Sequence, residues 1–522
     1  MIPKKNLHGG WKVYASIISI AMNGMNGYPV RVETDVSPGL PEFSMVGFLS
    51  SEVREARERV RTALRNSGFA LLPKKITVNL APADIRKEGT AYDLALAVSL
   101  LAANEMIPQE RTDGIVFIGE LALNGELRPV HGVLPRVCRA KEAGLTTCFL
   151  PFENRREGAV VDGIRIIGIK DLREAVHLLA CPEEQKPEVC PAREILEQTR
   201  TYSVDFSEVC GQYGMKRAAE AAAAGMHNLL LIGSPGSGKS MIARRIPTIL
   251  PGLTWEECLA VSKVYSVAGL LNDKQPLIVC RPFRAPHHTI STAALIGGGR
   301  IPRPGEISLA DRGVLFLDEL PEFQKNTLEV LRQPMEDRQV MIARTAGSGS
   351  FPADTMIVAA MNPCRCGYYP DRSRCQCSIS DVRRYLGRIS RPLLDRMDLC
   401  VEAPPVGYSD FSMPAAAGES SAVIRERVEK ARRIQQDRFR GENIFFNAQM
   451  QPKHVSIHCR LGAHEERIMK ELFETKKLSA RAYHRLLKVA RTLADLSGEP
   501  DIRDIHLIEA AEYRSLEEKY WG

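Results

Sequence analysis

No apolar run in this chain reaches the roughly 18 residues that a membrane-spanning helix needs. The best N-terminal candidate, ASIISIAMNG, is short and lacks the small-residue pattern of a cleaved leader. These absences argue against a helical membrane protein or an exported one, and the expected location is cytoplasmic. No disulfide framework is legible either, because the 13 cysteines are odd in number and spread through a long chain. Neither sign of charge dominates: 70 Lys and Arg against 63 Asp and Glu leave +7, which permits contact with nucleic acid without arguing for it. Internal repeats are absent as well. What is present is ordinary globular composition, 44% hydrophobic and 25% charged, over 522 residues. At about 150 residues per domain, that length suggests three or four domains.

The first 180 residues mix short strands and helices. KITVNL (75–80) and GIVFIGEL (114–121) read as strands from their β-branched content. SEVREARERVRTALRNSG reads as a helix capped by Ser51 and ended by Gly68, with Val53, Ala56, Val60, Ala63 and Leu64 as its apolar stripe. Arg54, Arg57, Arg61 and Arg65 line its outer side, either as a phosphate-binding stripe or as a solvated face. Residues 181–204 open with a Pro- and Glu-rich stretch that suits a linker. From 205 to 405 strands alternate with helical patterns, which predicts a parallel α/β sheet. From 406 to 522 the sequence turns helical, with period-3.6 spacing in SSAVIRERVEKARRIQQDRF and SARAYHRLLKVARTLADL. The expected fold class is therefore α/β: an N-terminal α+β domain, a central parallel α/β domain and a C-terminal helical domain.

Residues 233–240, GSPGSGKS, fit the phosphate-binding pattern G-x-x-x-x-G-K-[ST] in full, with the apolar strand NLLLI before it and a helix after it. Gly233, Ser234, Pro235, Gly236, Ser237 and Gly238 form a loop whose backbone N–H groups curl around phosphates. Lys239 supplies a mobile positive charge, and the Ser240 hydroxyl suits a Mg²⁺ ion. A second strand, GVLFLDEL (313–320), ends in Asp318, placed to hold the Mg²⁺ hydration shell, and Glu319, a natural base for activating water. A third, MIVAAMN (356–362), finishes on Asn362, whose amide could orient that water against the γ-phosphate. A hairpin is expected over 338–355 before it. The cofactors implied are ATP and Mg²⁺.

Together with RISRPLLDRMDL (388–399), these segments resemble the AAA+ ATPases of the magnesium-chelatase and minichromosome-maintenance type. FRAPHHTISTAALIGGG, PRPGEISLADRGVLFLDELPEF and NPCRCGYY bring the resemblance closer to the YifB/ComM-type magnesium-chelatase-like ATPases. It spans nearly the whole chain from Trp11. It implies that Asn362 senses the γ-phosphate, Arg396 is the arginine finger, and Arg481 is the lid residue that also reaches the nucleotide. A guanidinium suits both arginine roles because it stays charged and grips phosphate oxygens with a planar fork. A finger acting in trans implies a homo-oligomeric ring, expected to be hexameric. Arg391 is a departure, since family members usually carry glycine there.

Residues 76–180 are similar to the Lon protease domain, whose chemistry uses a Ser–Lys pair. Here the matching positions hold Ala91 and Leu134, and neither side chain supplies a nucleophile or a base. Thr90 stands beside the lost serine, but without an amine or imidazole in reach it stays protonated. The domain is therefore expected to be catalytically inactive.

Cys364, Cys366, Cys375 and Cys377 form C-x-C-x₈-C-x-C, which could present four thiolates to a structural Zn²⁺, free thiols being the alternative. In the resembling group the insertions ALIGGGRIPRPGEIS and 338–355 face a central pore, and here they carry Arg300, Arg303, Arg338 and Arg344, suited to a phosphate backbone or simply to solvating a loop. The paired His287 and His288 read as ligands, pore contacts or merely hydrogen-bonded side chains. The resulting expectation is an ATP-driven ring acting on single-stranded or branched DNA, as a helicase or translocase in recombination or transformation. The alternatives are the ATPase partner of a metal chelatase and a chaperone-like ATPase acting on protein. Against the chelatase partner stand the Lon-like domain and the absence of D-x-S-x-S, which the segment from Asp410 to Ser412 fails to supply.

Overall fold

A computed structural model describes residues 13–197, 202–299, 302–344, 347–405, 418–442 and 444–521. Arg300, Asp410 and Ser412 lie outside the described residues, and for Arg344 only the backbone is described.

The N-terminal part is built on a seven-stranded mixed sheet, in the order Glu42–Val46, Lys75–Ala81, Asn26–Ser37, Val13–Asn23, Ile115–Phe117, Thr147–Pro151 and Arg165–Ile169. Along Val13–Asn23 the residues Ala15, Ile17 and Ala21 join one buried cluster while Ile18 and Ile20 join another, so the strand is covered on both faces. Helix Asp93–Ala103 closes the first face and is buried along all 11 residues. Its Asp93 carboxylate is held by the Arg59 guanidinium at 2.9 and 3.0 Å and by the Leu121 N–H at 3.2 Å. Burial nevertheless lifts this carboxyl to about 6. Helix Val133–Glu142 covers the second face.

Two local expectations change. Helix Ser51–Asn66 is capped by Ser50, whose side chain accepts from the Val53 N–H, and not by Ser51; the residue with extended backbone makes the cap. Its buried residues are Val53, Ala56, Val60, Ala63 and Leu64 as the stripe predicts, and the four arginines opposite are exposed. GIVFIGEL is not one strand: Ile115–Phe117 stays in the large sheet, whereas Glu120–Leu121 turns away to pair with Leu127–Arg128.

The central sheet is fully parallel, in the order Phe283–Arg284, Val314–Leu317, Met356–Met361, Leu229–Gly233, Leu399–Ala403. Three of these strands, LLLIG, VLFL and MIVAAM, are buried throughout, as strands covered on both faces must be. The hairpin is present as Gln339–Arg344 paired with Gly347–Pro352. The C-terminal part is helical, and Ser421–Arg438 and Ala480–Ser497 are its longest members. Ile424, Val428, Leu486 and Leu493 share one core with Ile242 and Ile246 of the helix that follows the phosphate loop.

The N-terminal and central parts meet along helix Trp255–Ala268, which starts with a capping box from Thr254 and Glu257 and ends at Gly269 with φ 73°. Cys258 packs into the same cluster as Val133, Leu134 and Val137. Residues 181–197 run along this joint: Ala192 is buried there, and the Arg193 guanidinium lies 5.8 Å from the Trp255 ring centre. No helix among the described residues is long and apolar enough to cross a membrane.

Candidate nucleotide site and the opposite cleft

The phosphate loop leaves the C-terminal end of strand Leu229–Gly233 and runs into helix Lys239–Ile249. Gly236 and Gly238 have φ of 77° and 87°, and a Cβ at either would meet nothing within 4 Å. This open concavity is where a phosphate would sit, and only glycine reaches the required backbone cheaply. Gly233 is required for a different reason: a Cβ there would lie 2.5 Å from the Ala403 carbonyl oxygen of the adjacent strand.

The Lys239 ammonium sits inside the loop and donates to the carbonyls of Gly233 (2.8 Å) and Ser234 (2.9 Å) and to Asn362 Oδ1 (3.2 Å). Burial lowers it to about 8 against the opposing pull of Asp318. Ser240 Oγ donates to Asp318 Oδ2 at 2.8 Å, so the two groups expected to hold Mg²⁺ are already adjacent. Hydroxyl plus carboxylate at hydrogen-bond separation is an oxygen donor set that fits a hard cation retaining several waters. Sheet order explains the convergence, since Met356–Met361 lies between the phosphate-loop strand and the Asp-Glu strand and all three end at the same edge.

Glu319 has left-handed backbone, φ 52°, which turns its half-exposed side chain out of the strand line. Its carboxylate lies 3.2 Å from His288 Nδ1. No local motif names His288 as the partner of Glu319. Its signal was topological: Phe283–Arg284 lies parallel beside Val314–Leu317, so the residues that follow each strand come out side by side. His287 instead meets Thr289 Oγ1 at 2.9 Å.

Arg396 and Arg481 are not at this edge. Both line a cleft of about 590 Å³ together with Asn228, Thr355 and Asp398, the residues just before three of the parallel strands. The cleft is therefore at the opposite end of the sheet from the phosphate loop. Arg338, Arg485 and Lys488 add positive charge to it. Arg396 is only 6% exposed, donates to the Pro392 carbonyl at 2.6 Å and pairs with Glu336. Its Nε, His484 Nδ1 and Arg485 Nη1 are buried with no hydrogen-bond partner among the described residues. The Asp398 side chain is 12% exposed, and despite its partial burial its carboxyl is held well below the usual carboxylate range by His227, Arg485 and the Asn228 N–H. Arg391 is exposed and donates to the Trp521 carbonyl at 3.1 Å.

The arginines proposed for DNA are dispersed. Arg303 is exposed on a short strand paired with Gly297–Gly298. Arg338 is engaged by Asp354 at the root of the hairpin. Both insertions lie near the N-terminal sheet: Gly349 packs against Gly24, and the Arg303 charge bears on His131.

The Lon-like positions are closed. Ala91 is 3% exposed and Leu134 fully buried, and Thr90 Oγ1 donates to the Glu120 carboxylate. The Leu134 N–H donates to Glu157 Oε1 at 3.0 Å and lies 3.2 Å from Ser266 Oγ, a residue of helix Trp255–Ala268.

The four cysteine sulfurs lie within 4.8 Å of one another in the loop that follows Asn362. Residues 32–154, 205–411 and 418–514 match three family descriptions: subunit ChlI of Mg-chelatase, magnesium chelatase subunit ChlI, and its C-terminal part. The competence protein ComM of Haemophilus influenzae is 40% identical over 511 residues, covering 96% of this chain and 97% of that protein. YifB of Escherichia coli is 42% identical over 501 residues, 95% of this chain and 96% of that protein. Lon protease 2 of Bacillus subtilis is 32% identical over 158 residues, 28% of each chain. A phosphate loop, an Asp-Glu strand and a terminal asparagine at one edge of a parallel sheet, with relatives aligned from end to end, place this chain in the YifB/ComM-type magnesium-chelatase-like family of AAA+ ATPases.

Proposed function

We propose that this ATPase is a ring-forming motor that hydrolyses ATP between adjacent copies and uses the cycle to translocate along or branch-migrate DNA. The observation that carries the ring is the position of Arg396. It precedes strand Leu399–Ala403 at the edge opposite the phosphate loop, and at about 3.3 Å per residue a five-residue strand separates the two by roughly 17 Å. A chain cannot apply that guanidinium to its own γ-phosphate, whereas a neighbour's triphosphate fits the cleft by charge and size. Arg481 lines the same cleft, so it too serves the neighbour's nucleotide. A hexamer is the expected closure.

Within one chain the residues divide the work. Lys239 and the loop N–H groups bind and orient the phosphates, Ser240 and Asp318 would hold Mg²⁺, and Glu319 takes the proton of the attacking water. Asn362, bonded to Lys239, fixes that water's line of approach. When bound, Mg²⁺ neutralises charge on the β- and γ-phosphate oxygens. His288 holds the Glu319 carboxylate in place. Zn²⁺ fits the four thiols as a closed, structural site.

DNA is supported by the exposed Arg303, by the glycine-rich insertions and by the competence name of the Haemophilus relative. No peptidase activity is proposed, because the Lon-like positions hold Ala91 and Leu134, both buried and neither able to act as nucleophile or base.

The test is subunit mixing. Lys239→Ala and Arg396→Ala proteins are each expected to be inactive, and their mixture to regain ATPase at interfaces that combine an intact loop with an intact arginine. A mixture no better than its components would remove the shared site. Unwinding of a forked duplex, lost in Glu319→Gln, tests the DNA assignment, with protein and porphyrin substrates as controls.

A further inference from the structure

The cysteine loop touches the phosphate loop at two points. Asn362, two residues before Cys364, accepts the 3.2 Å hydrogen bond from Lys239. Gly367, one residue after Cys366, packs so closely on the Pro235 ring that a Cβ there would lie 2.3 Å from its Cδ. Gly367 also has φ 86°, so the contact depends on a residue without a side chain.

The sulfurs themselves are set for a metal. Cys364 and Cys366 are 3.3 Å apart, Cys366 and Cys375 3.5 Å, and Cys364 and Cys375 3.8 Å. Thiolates around a tetrahedral zinc at about 2.3 Å stand about 3.8 Å from one another. Cys364 also accepts from the Tyr369 N–H at 3.4 Å, and Arg372 donates to the Cys377 carbonyl at 2.8 Å, contacts that orient the sulfurs from outside. Tyr369 extends the unit to Tyr520, 6.3 Å away between ring centres. Cys364 and Cys375 are buried in the core beside the phosphate-loop strand, and Cys366, Cys377, Tyr368 and Tyr369 pack against it, so a metal held by the four sulfurs would be tied to that core.

We infer that zinc bound by Cys364, Cys366, Cys375 and Cys377 sets the position of the phosphate loop through Gly367 and Asn362, so that nucleotide affinity depends on zinc occupancy. The inference rests on reading residues 233–240 as the nucleotide site. The metal would then act on the neighbouring site through short links, one residue from Cys366 to Gly367 and two from Cys364 back to Asn362.

Elemental mass spectrometry of the full chain is expected to find about one zinc per chain. Stripping it with an organomercurial and a chelator should weaken binding of a fluorescent ATP analogue about tenfold, a usual size for coupling between sites. Re-adding zinc should restore the affinity. Gly367→Ala, which keeps all four thiols, should weaken the analogue similarly while retaining zinc; because that variant could misfold, the strip-and-reload cycle on the unaltered chain decides. Protein that neither holds nor takes up zinc overturns the inference, as does stripped protein that binds the analogue as tightly as loaded protein. Either result leaves the DNA-motor reading standing, whereas a zinc-loaded chain whose ATPase ignores DNA removes that reading and not this one.

Discussion

Lys239 carries the clearest pH dependence at the scale of single residues. Its ammonium, lowered to about 8 by burial, is charged below that pH and neutral above it. A bound triphosphate favours the charged form, so affinity for nucleotide should fall as pH rises from 7 to 9, and binding near pH 8 should take up a proton. Calorimetry in buffers of different ionisation enthalpy measures that uptake. Glu319 should separate binding from chemistry: Glu319→Gln is expected to keep nucleotide affinity and lose about 10²–10⁴ in turnover, the usual worth of a general base. His288→Ala should lower turnover by a smaller factor with affinity again unchanged, because the carboxylate remains but is no longer held. Single-turnover kinetics with a fluorescent nucleotide reads both effects.

Among the elements, the parallel sheet determines which groups meet. Strand order brings Ser240, Asp318, Glu319 and Asn362 to one edge and Arg396 to the other, and no motif taken alone contains that separation. The phosphate-loop strand also packs backbone against backbone where Gly233 faces Ala403. Gly233→Ala should therefore destabilise the protein by about 1–3 kcal/mol or more, since the opposing atom is a carbonyl oxygen that cannot rotate away. Chemical denaturation followed by circular dichroism tests this. The elements themselves were legible where spacing is regular. The stripe over Val53–Leu64 and the two long C-terminal helices follow from periodicity, and the hairpin within 338–355 from strand-like arms around a Gly/Ser turn. The cap at Ser50 and the break in GIVFIGEL were not, because backbone angle decides the first and pairing with a distant strand the second.

For the whole molecule, the decisive contact joins the Lon-like part to the ATPase part. Glu157, 6% exposed, accepts from the Leu134 N–H, from Asn154 at 3.2 Å and from Ser266 Oγ on helix Trp255–Ala268. Glu157→Ala would take the acceptor from the buried Ser266 hydroxyl and from one Asn154 N–H, at about 1–3 kcal/mol for each donor left unsatisfied, while the Leu134 N–H keeps Ser266 Oγ at 3.2 Å. The expected outcome is a lower midpoint of thermal unfolding and weaker coupling between the two parts, visible as faster hydrogen exchange in helix 255–268.

The amino-acid sequence by itself determined the chemistry. A glycine-rich loop, an Asp-Glu pair after an apolar run and a cysteine quartet are local patterns, and local patterns survive in one dimension because the atoms that act are neighbours along the chain. Tertiary structure alone decided which of those groups meet. It set Arg396 and Arg481 at the edge away from their own phosphate loop, put His288 against Glu319, and pressed Gly367 onto Pro235, because each depends on which strands lie side by side and which ends they share.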